Sequence, residues 1–438
     1  MNKRMPHALF ALVTAGLLVT ACTPATKENK IADPGTAVSG TVELWHFFTE
    51  READAIDSVV KDFQAGHPNI KVTVKSGQDD SKVTQAIGAG NGPDIGLSYS
   101  TDIVGKFCAS GAWVDLTQYI NRDKVDLNQL NATTRSYTEY DGKRCAMPFL
   151  ADAYGMFYNK DLFAKAGIDG PPKTLDELAE DAKKLTVRNP DGSLKTVGFL
   201  PLYDFYENSA SHLAPTVGAK WLTDDGKSAV GTDPAWKTLI TWQKSLVDWY
   251  GYDKLTKFRA GLGDEFSADN AFQKGQVAIN IDAEFRLAFL KDQATNLKYG
   301  VAPIPTADPA RYGGGYVTGN IVGISKNAKN PEAAWELIKY LTTDDAAVIK
   351  LSGLLKNIPT TTKAIADPTL NSDADFKTFI DIFTNPNSST SPPSSSGPAY
   401  QDTFAKFLTD FQAGKVKDID AGLAQADKQI NSVMTLGG

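Results

Sequence analysis

The chain has 438 residues, of which 42% are hydrophobic and 22% charged, and its formal net charge is −7. A negative net charge without a basic cluster argues against nucleic acid or an anionic membrane surface as a partner. About 400 residues follow the N-terminal segment, which is too many for one hydrophobic core, so two domains are expected.

The N-terminal segment has the pattern of an export signal. Lys3 and Arg4 precede an apolar run at 8–19, which is shorter than the ~20 residues that a membrane-spanning helix needs. Small residues then lead into Cys22, and this pattern resembles the lipobox of bacterial lipoproteins. The resemblance implies a signal peptide at 1–21, a lipid-bearing Cys22, a flexible tether to residue 40 and a site on the outer face of a bacterial, Gram-positive cell membrane. An ordinary cleaved secretory signal is the alternative.

The cysteine count predicts one disulfide. If Cys22 carries lipid, Cys108 and Cys145 remain in a compartment that permits oxidation. Two buried free thiols are the alternative. The histidines lack the spacing of metal ligands and no dinucleotide fingerprint follows a strand, so neither a metal nor a cofactor is predicted.

Strands and helices alternate through the first third of the exported chain. The first predicted strand runs over 42–47, and Thr49 with Glu52 predicts a capping box at the start of a helix. The next predicted elements are the rest of that helix to residue 66, a strand at 70–74, a short helix at 83–87 and a strand from residue 94. This βαβαβ order predicts α/β architecture with parallel strands.

The same alternation resumes after Pro148. A strand is predicted at 154–158, and Thr174 with Glu177 predicts a second capping box. The later predictions are a strand at 197–200, helices at 234–250, 331–341, 399–411 and 419–433, and a Ser/Pro/Asn-rich loop at 385–398.

Five segments, in this order, resemble the carbohydrate-binding proteins of ABC importers, the family that includes maltodextrin-binding protein. None is decisive alone, but together they cover nearly all of the exported chain. They are Val42-Glu43-Leu44-Trp45-His46; Gly90 to Ile95 with Lys106-Phe107 and Gly111 to Leu116; Asp141-Gly142-Lys143 with Met147 to Phe149 and Gly155 to Lys160; Phe272 to Ala278; and Val301 to Pro305 with Gly313 to Gly315 and Ser325 to Asn327.

The resemblance implies an α/β fold of two discontinuous lobes with mainly parallel sheets joined by a hinge, as in type II periplasmic binding proteins. It also implies capture of a carbohydrate, with an oligosaccharide favoured, by hinge closure, and delivery by a monomer without enzymatic activity to the permease and ATPase of an ABC transporter. The lobes would be 41–150 with 303–345 and 151–302 with 346–438, with crossings near 148–152, 302–305 and 342–346.

Sugars present apolar C–H faces and rims of hydroxyls, so their sites combine aromatic rings with hydrogen-bonding side chains. Tyr99, Asp102, Asp152 and Tyr154 are predicted because they fall where the family has ligand residues. The other predicted contacts are His46, Phe47, Phe48, Glu50, Tyr203, Tyr206, Glu207, Asp282, Glu284, Phe285, Gly314, Gly315 and Tyr400.

Several of these residues have alternative interpretations. Asp102 could cap a helix, with Thr101 competing for that role, and His46 could be an internal histidine. One of the two phenylalanines at 47 and 48 could pack in the core. Many relatives place a tryptophan near Ala283, for which Phe285 or Glu284 would substitute here.

Two other functions remain open. An exported glycoside hydrolase would also combine carboxylates with aromatic rings, but no motif marks a pair of carboxyls, and the chain has no Gly-x-Ser-x-Gly elbow. The same fold could also bind a solute that is not a sugar, such as a ferric ion or a polyamine.

Overall fold

The computed structural model describes residues 31–436, so the predicted signal peptide and the lipidation site at Cys22 lie outside the described residues. None of the helices described in that range is long and apolar enough to cross a membrane. Nine strands are present: β1 Gly40–Trp45, β2 Ile70–Lys75, β3 Ile95–Ser98, β4 Met147–Asn159, β5 Val187–Arg188, β6 Leu194–Phe199, β7 Val277–Ala283, β8 Tyr299–Ala302 and β9 Val317–Ile324.

Helices connect and cover these strands, and short 3-10 helices lie at Thr101–Ile103, Leu127–Gln129 and Pro309–Arg311. The α-helices are α1 Glu50–Gly66, α2 Asp80–Gly88, α3 Val104–Ala109, α4 Thr117–Arg122, α5 Ala132–Tyr137, α6 Lys160–Ala166, α7 Leu175–Leu185, α8 Ala210–Val217, α9 Pro234–Tyr250, α10 Tyr252–Arg259, α11 Arg286–Gln293, α12 Pro331–Thr343, α13 Asp345–Leu355, α14 Thr362–Ile365, α15 Pro368–Asn371, α16 Ala374–Thr384, α17 Ala399–Gln412 and α18 Ile419–Leu436.

The strands follow the order β2-β1-β3-β9-β4-β7-β6-β5, and β8 pairs with β4. The pairs β1/β2, β1/β3 and β6/β7 are parallel. Strands β4 and β9 run antiparallel to their neighbours in the sheet. The predicted α/β class is therefore confirmed, and the strand pairing is mixed because β4 and β9 return against the parallel strands.

Strand β4 connects the two halves of the molecule. Phe149 and Leu150 in its first half belong to the core that contains β1, α1 and α12. Tyr154 and Met156 in its second half belong to the core formed by α7, α9, α17 and α18. Its pairing changes accordingly, from β9 in the first half to β7 and β8 in the second. The polypeptide thus passes from one core to the other within a single strand.

One of the two predicted capping boxes forms. Thr174 accepts a hydrogen bond from the backbone N–H of Glu177 at 3.1 Å, and the Glu177 carboxylate accepts from the N–H of Thr174 at 3.1 Å. The box predicted at Thr49 and Glu52 is wrong, because the Thr49 side chain makes no capping hydrogen bond. Glu50 between them has a φ of 48°, so the chain reaches α1 through a left-handed residue.

The predicted cysteine pairing is present in the structure. Cys108 on α3 and Cys145, just before β4, are joined by a disulfide with a Cα–Cα distance of 5.5 Å. Both cysteines are buried. The bridge ties α3, which lies behind the loop that follows β3, to the start of the strand that crosses between the cores.

Candidate ligand-binding site

A cleft of about 780 Å³ lies between the two halves of the molecule. The loop after β1, the start of α1 and the loop after β3 form its first wall, and α11 and the loops before α8 and β7 form the second. Strands β4 and β9 form its floor. It is lined by Phe47, Phe48, Thr49, Glu50, Arg51, Glu52, Tyr99, Asp152, Tyr154, Glu207, Phe266, Phe285, Phe289, Asp292, Gln293, Thr318, Asn320 and Asn357.

A second cavity of about 260 Å³ continues the cleft, because both share Tyr99, Tyr154 and Thr318. The N-terminal end of α8 and the first turns of α17 form its far side. Its other lining residues are Ser100, Asp102, Ser209, Ala210, Ser211, His212, Trp221, Tyr316, Gln401, Asp402 and Ala405. The two cavities together form an elongated groove.

Aromatic rings line both walls of the larger cavity. On the first wall, Tyr99 lies edge-on to Phe47 at a centroid distance of 5.5 Å. On the second wall, Phe266 lies 6.2 Å from Phe285 and 5.6 Å from Phe289. Tyr99 is 53% exposed and Phe266 is 54% exposed. Since large aromatic rings are usually buried, these two rings offer free apolar faces within the cleft.

A pair of carboxyl groups forms one part of the floor. Asp152 accepts a hydrogen bond of 2.5 Å from Nδ2 of Asn357 and lies within hydrogen-bonding distance of Glu284. Glu284 is fully buried, and its Oε2 accepts from the N–H of Ala153 at 2.9 Å. Burial and the neighbouring Asp152 charge raise the pKa of Glu284 well above its usual value. The pair therefore shares a proton, with Asp152 facing the cleft.

A second carboxyl pair lies beside the first. Glu207 lines the cleft and is hydrogen-bonded to Glu265. Burial and the Asp282 charge raise the pKa of Glu207 to about 7. Burial and the charges of Glu207 and Asp282 raise the pKa of Glu265 to about 10. Arg286 is fully buried and neutralises Asp282 through a 2.6 Å ion pair. Glu207 is thus the member of this group that faces the ligand space.

His212 provides a flat, neutral surface where the two cavities meet. Its ring stacks on Tyr154 at a centroid distance of 3.8 Å. Its Nδ1 lies 2.6 Å from the carbonyl oxygen of Glu207, so this nitrogen carries the proton and donates. Burial lowers the pKa of His212 to about 4. The ring is therefore neutral at pH 7, and its Nε2 is an acceptor.

Asp102 and Gln401 meet across the smaller cavity. Nε2 of Gln401 donates to Oδ1 of Asp102 at 2.8 Å. Ser100, not Asp102 or Thr101, caps the 3-10 turn, because the Ser100 hydroxyl accepts from the N–H of Asp102. Burial raises the pKa of Asp102 to about 6. The carboxyl of Asp102 is thus free of a capping role and faces the groove.

A second polar contact joins the walls near the larger cavity. Nε of Arg51, at the start of α1, lies 3.5 Å from the Asp292 carboxylate on α11. The same guanidinium donates to the carbonyl oxygen of Leu354 at 2.7 Å. The groove therefore has polar contacts between its walls near both ends.

The structure brings nine of the predicted residues to the lining of the groove: Phe47, Phe48, Glu50, Tyr99, Asp102, Asp152, Tyr154, Glu207 and Phe285. The two phenylalanines at 47 and 48 both line it, although Phe48 is only 5% exposed and also packs in the first core. Asp282 and Glu284 do not line it, and they lie fully buried behind Glu207 and Asp152. Glu284 is hydrogen-bonded to Asp152, and the charge of Asp282 raises the pKa of Glu207 after burial as the main cause.

The remaining predicted residues lie elsewhere, which corrects their placement at the ligand. His46 is fully buried beneath the loop after β1. Tyr203 and Tyr400 belong to the second core, where the Tyr400 hydroxyl donates to the carbonyl oxygen of Pro392. Tyr206 donates to the carbonyl oxygen of Gly263 and has a φ of 46°, so it holds a loop together.

Gly314 and Gly315 also lie outside both cavities. A Cβ atom at Gly315 would lie 2.7 Å from the carbonyl oxygen of Tyr154, and one at Gly314 would lie 2.8 Å from Asn387. Glycine is needed at these positions because the backbone approaches the protein itself, so the predicted close approach to a ligand is wrong.

Sequence reasoning missed several lining residues. Phe266 lies in a loop between α10 and β7, and Asn357 follows α13 in a segment without periodic pattern. Thr318 and Asn320 lie on β9, whose residues are buried on both faces, so alternation does not mark the side that faces the groove. Gln401 was adjacent to the predicted Tyr400, and the helical position that faces the groove is one residue later.

Within residues 31–436, no three His, Cys, Asp or Glu side chains are grouped so that they could hold a metal ion. The hydrogen-bonding groups of the groove are carboxylates, amides, hydroxyls, one neutral imidazole and the Arg51 guanidinium, placed between aromatic rings.

Comparison with known proteins gives a consistent set of relatives. A family model described as bacterial extracellular solute-binding protein matches residues 49–348. The chain is 25% identical to the maltotriose-binding protein of Pyrococcus abyssi, over 76% of this chain and 70% of that protein. It is 29% identical to the maltooligosaccharide ABC transporter solute-binding lipoprotein of Streptococcus pneumoniae strain R6, over 82% of this chain and 81% of that protein.

Solved structures with the same fold include two that hold sugars. The mannotriose complex of the protein CpMnBP1 has a TM-score of 0.79 and 26% identity, over 89% of this chain and 99% of that chain. The cycloalternan complex of an ABC substrate-binding protein from Listeria monocytogenes has a TM-score of 0.75 and 21% identity, over 91% of this chain and 99% of that chain. The second likeness concerns the fold alone.

Proposed function

The chain belongs to the bacterial extracellular solute-binding protein family, and from this membership and the chemistry of its groove we propose that it captures an oligosaccharide outside the cell for an ABC importer. The observation that carries the proposal is the exposure of Tyr99 and Phe266 on opposite walls above the carboxylates of Asp152 and Glu207. Aromatic rings can stack on the C–H faces of sugars, and ionised carboxylates can accept two hydroxyl hydrogen bonds each. The elongated groove suits several linked sugar units better than one.

Hinge closure would enclose the ligand. The segments that cross between the cores are β4 and β9, and a hinge there would move Arg51 and Asp102 relative to Asp292 and Gln401. The two contacts between the walls would then form on closing and separate on opening.

We propose lobe limits close to the predicted scheme, 41–150 with 303–345 and 151–302 with 346–438, but with its later crossings moved. Ile304 and Tyr316 share the core of the second half, which favours a crossing at the start of β9. Ala347, Leu351 and Leu355 of α13 share the core of β1 and α1. This packing favours extending the first lobe to residue 355, so that the last crossing would lie after α13.

The proposal also includes a membrane anchor and a transporter as the docking partner. Acylation at Cys22 would hold the protein at the outer face of a bacterial cell membrane, and the closed form would dock as a monomer on the permease subunits of the transporter with their ATPase. The relative from Streptococcus pneumoniae is itself named a lipoprotein. The lipobox pattern before Cys22 in this chain supports the same anchoring.

Binding without cleavage is the activity that the carboxyl groups favour. A glycoside hydrolase holds its two carboxyls about 5–9.5 Å apart so that acid and nucleophile or water fit on either side of the bond. Here Asp152 is hydrogen-bonded to Glu284, and Glu207 to Glu265. The two carboxyls of each pair are thus in direct contact, closer than the two carboxyls of a glycoside hydrolase, and the shared proton stays within the pair.

The test is a melting-shift screen of the purified protein against neutral mono- to tetrasaccharides, followed by titration calorimetry and chromatography of the sugar. We expect at least one oligosaccharide to raise the melting temperature, to bind in a one-to-one ratio and to be recovered intact. No shift with any sugar, or recovery of cleaved products, would contradict the proposal.

A further inference from the structure

The groove is lined by more acidic than basic side chains. The only guanidinium or ammonium group among the described lining residues of the two cavities is that of Arg51, which is already paired with Asp292 and Glu52. His212 is neutral at pH 7. The acidic residues that line the groove are Glu50, Glu52, Asp102, Asp152, Glu207, Asp292 and Asp402.

Two of these carboxylates have no cation of their own within the described structure. Asp152 is held by the Asn357 amide and by Glu284. Glu207 is held by Glu265 and lies 3.3 Å from Nδ1 of the neutral His212. The partners of both are therefore neutral groups or other carboxyls. The guanidinium of Arg286 behind them is neutralised by Asp282. A desolvated carboxylate without a counter-charge is costly, and burial accordingly raises the pKa of Glu207 to about 7. A ligand that supplied positive charge here would favour the ionised form of Glu207 and bind favourably.

The aromatic rings around these carboxylates suit the same kind of group. Tyr154 lines both cavities and lies near the two carboxylates. Burial is the main cause that raises the pKa of its hydroxyl, and the charges of Glu207 and Asp152 raise it further. Phe47, Tyr99 and Phe266 present further rings to the larger cavity. The negative faces of aromatic rings attract ammonium groups, most strongly where water is excluded.

An unsatisfied acceptor lies in the same cavity. Asn320 lines the larger cavity and is 4% exposed, and its Oδ1 has no hydrogen-bond partner among the described residues. Buried amide oxygens are normally satisfied, so Asn320 is a lining residue whose amide could turn this oxygen towards a ligand donor. It is independent of the carboxyl groups, and it adds a neutral acceptor beside them.

We propose that the preferred ligand is an amino sugar oligosaccharide with a free, protonated amine, bound with its ammonium group at Asp152 and Glu207 and its ring faces against the aromatic walls. The inference rests on the proposed function and narrows its ligand class. A neutral sugar would satisfy the hydroxyl-binding groups of the groove and leave its negative charge uncompensated.

The experiment is titration calorimetry at pH 7 with three β-1,4-linked disaccharides of nearly equal shape. The glucosamine disaccharide carries amines, cellobiose has hydroxyls in their place, and N,N′-diacetylchitobiose carries uncharged amides. We expect the glucosamine disaccharide to bind at least tenfold more tightly than either of the others. The difference should shrink when the salt concentration is raised, because salt screens the charge interaction.

A matched pair of variants tests the assigned residue. Glu207→Gln keeps the size of the side chain and removes its charge, so the ratio of the glucosamine and cellobiose affinities should fall by about tenfold. Asp418→Asn makes the same change at an exposed position before α18, outside both cavities, and should leave the ratio unchanged. An unchanged ratio in the Glu207→Gln protein would overturn the assignment.

Other outcomes separate this inference from the proposed function. If cellobiose, maltotriose or another neutral oligosaccharide binds as tightly as the glucosamine disaccharide or more tightly, the amine preference is wrong and oligosaccharide capture stands. If no sugar binds while spermidine does, both the proposed function and the inference are wrong, and the protein binds polyamines.

Discussion

Tyr99 and Asp102 lie three residues apart in the turn after β3, and their environments are opposite. Tyr99 is half exposed and touches the Phe47 ring, whereas Asp102 is enclosed and meets Gln401 across the groove. An aromatic ring can stack on a sugar only when its face is exposed. A carboxylate distinguishes best between ligands where little water competes for its hydrogen bonds. The turn therefore supplies both kinds of contact from one short segment.

Replacing Asp102 by Asn tests whether its charge serves the ligand. We expect the affinity for the bound oligosaccharide to fall about tenfold or more, because a charge-assisted hydrogen bond is worth about 1.5–3 kcal/mol. The melting temperature should change little, since Ser100 provides the cap of this turn. Calorimetry and a thermal melt measure both quantities, with Asp418→Asn as the control. Unchanged affinity would remove Asp102 from the site.

The carboxyl group of Glu265 predicts a pH dependence of stability. Its pKa is raised to about 10 in the folded protein, so between pH 6.5 and 8 the folded chain retains a proton that the unfolded chain has lost. Stability must then decrease as pH rises. Glu207, with a pKa of about 7, adds to the decrease. The lowered pKa of His46 and His212 acts in the opposite direction, because near pH 6.5 the unfolded rings still bind some protons that the folded rings do not.

Denaturant unfolding at pH 6.5 and pH 8 measures this effect without ligand. We expect the free energy of unfolding of the wild-type protein to be lower at pH 8 by on the order of 1–2 kcal/mol. In Glu265→Gln the difference should be smaller by the Glu265 contribution, because the neutral amide replaces the protonated carboxyl, whereas the raised pKa of Glu284 keeps its own contribution. A wild-type protein that becomes more stable between these pH values would contradict the assignment of protons to this pair.

A residue of the site can be predicted from sequence only where the local pattern determines whether its side chain faces the groove. Phe47, Tyr99 and Asp102 follow short strands, and side chains at strand ends face the groove in this kind of fold. Asp282 and Glu284 come at the end of β7, which is buried on both faces, so alternation does not show which side chain faces the ligand. Their role behind Glu207 and Asp152 depends on packing that is distant in sequence.

At the scale of elements, the Ser/Pro-rich loop at 385–398 does more than connect α16 to α17. Its N-terminal part pairs with the start of β9, where the N–H of Val317 donates to the carbonyl oxygen of Ser389. Farther along, the backbone of Ser394 lies directly against Gly105 of α3, on the first half of the molecule. The loop therefore links the two halves near the smaller cavity.

Gly105→Ala tests whether this contact supports closure. The added Cβ would overlap the Ser394 backbone, so the loop must move away from α3. We expect weaker ligand binding, by several-fold, because the closed form loses this contact while the separate lobes keep their cores. Gly88→Ala is the matched control, since this glycine also lies in a helix and has open space around it. Equal affinities of the two variants would show that the contact is unimportant for closure.

The positions of the five longest helices follow from sequence, and the order of the strands does not. Helix α9 spans the predicted range 234–250. Its bounds are marked by a proline at its first position and a glycine directly after its last. The placement of β9 between β3 and β4 joins residues more than 150 positions apart, and no local pattern records such a pairing. The family resemblance supplied the two-lobed architecture that periodicity alone leaves open.

At the scale of the whole molecule, the anchor and the groove should be separable. Cys22 lies outside the described residues and is followed by a polar segment before β1 begins at Gly40. We expect Cys22→Ala to release the protein from membranes into the soluble fraction with unchanged ligand affinity. Membrane fractionation and calorimetry measure the two effects. Retention of the variant at the membrane to the same extent as the wild-type protein would contradict lipid anchoring.

The central claim is that the oligosaccharide binds between the aromatic walls of the groove. Titration calorimetry of wild-type protein, Tyr99→Ala and Trp249→Ala with the same oligosaccharide tests it most directly, because both aromatic residues are about half exposed and, of the two, only Tyr99 lines the groove. We predict one-to-one binding by the wild-type and Trp249→Ala proteins and at least tenfold weaker binding by Tyr99→Ala. Equal dissociation constants for all three proteins would place the ligand elsewhere and contradict the claim.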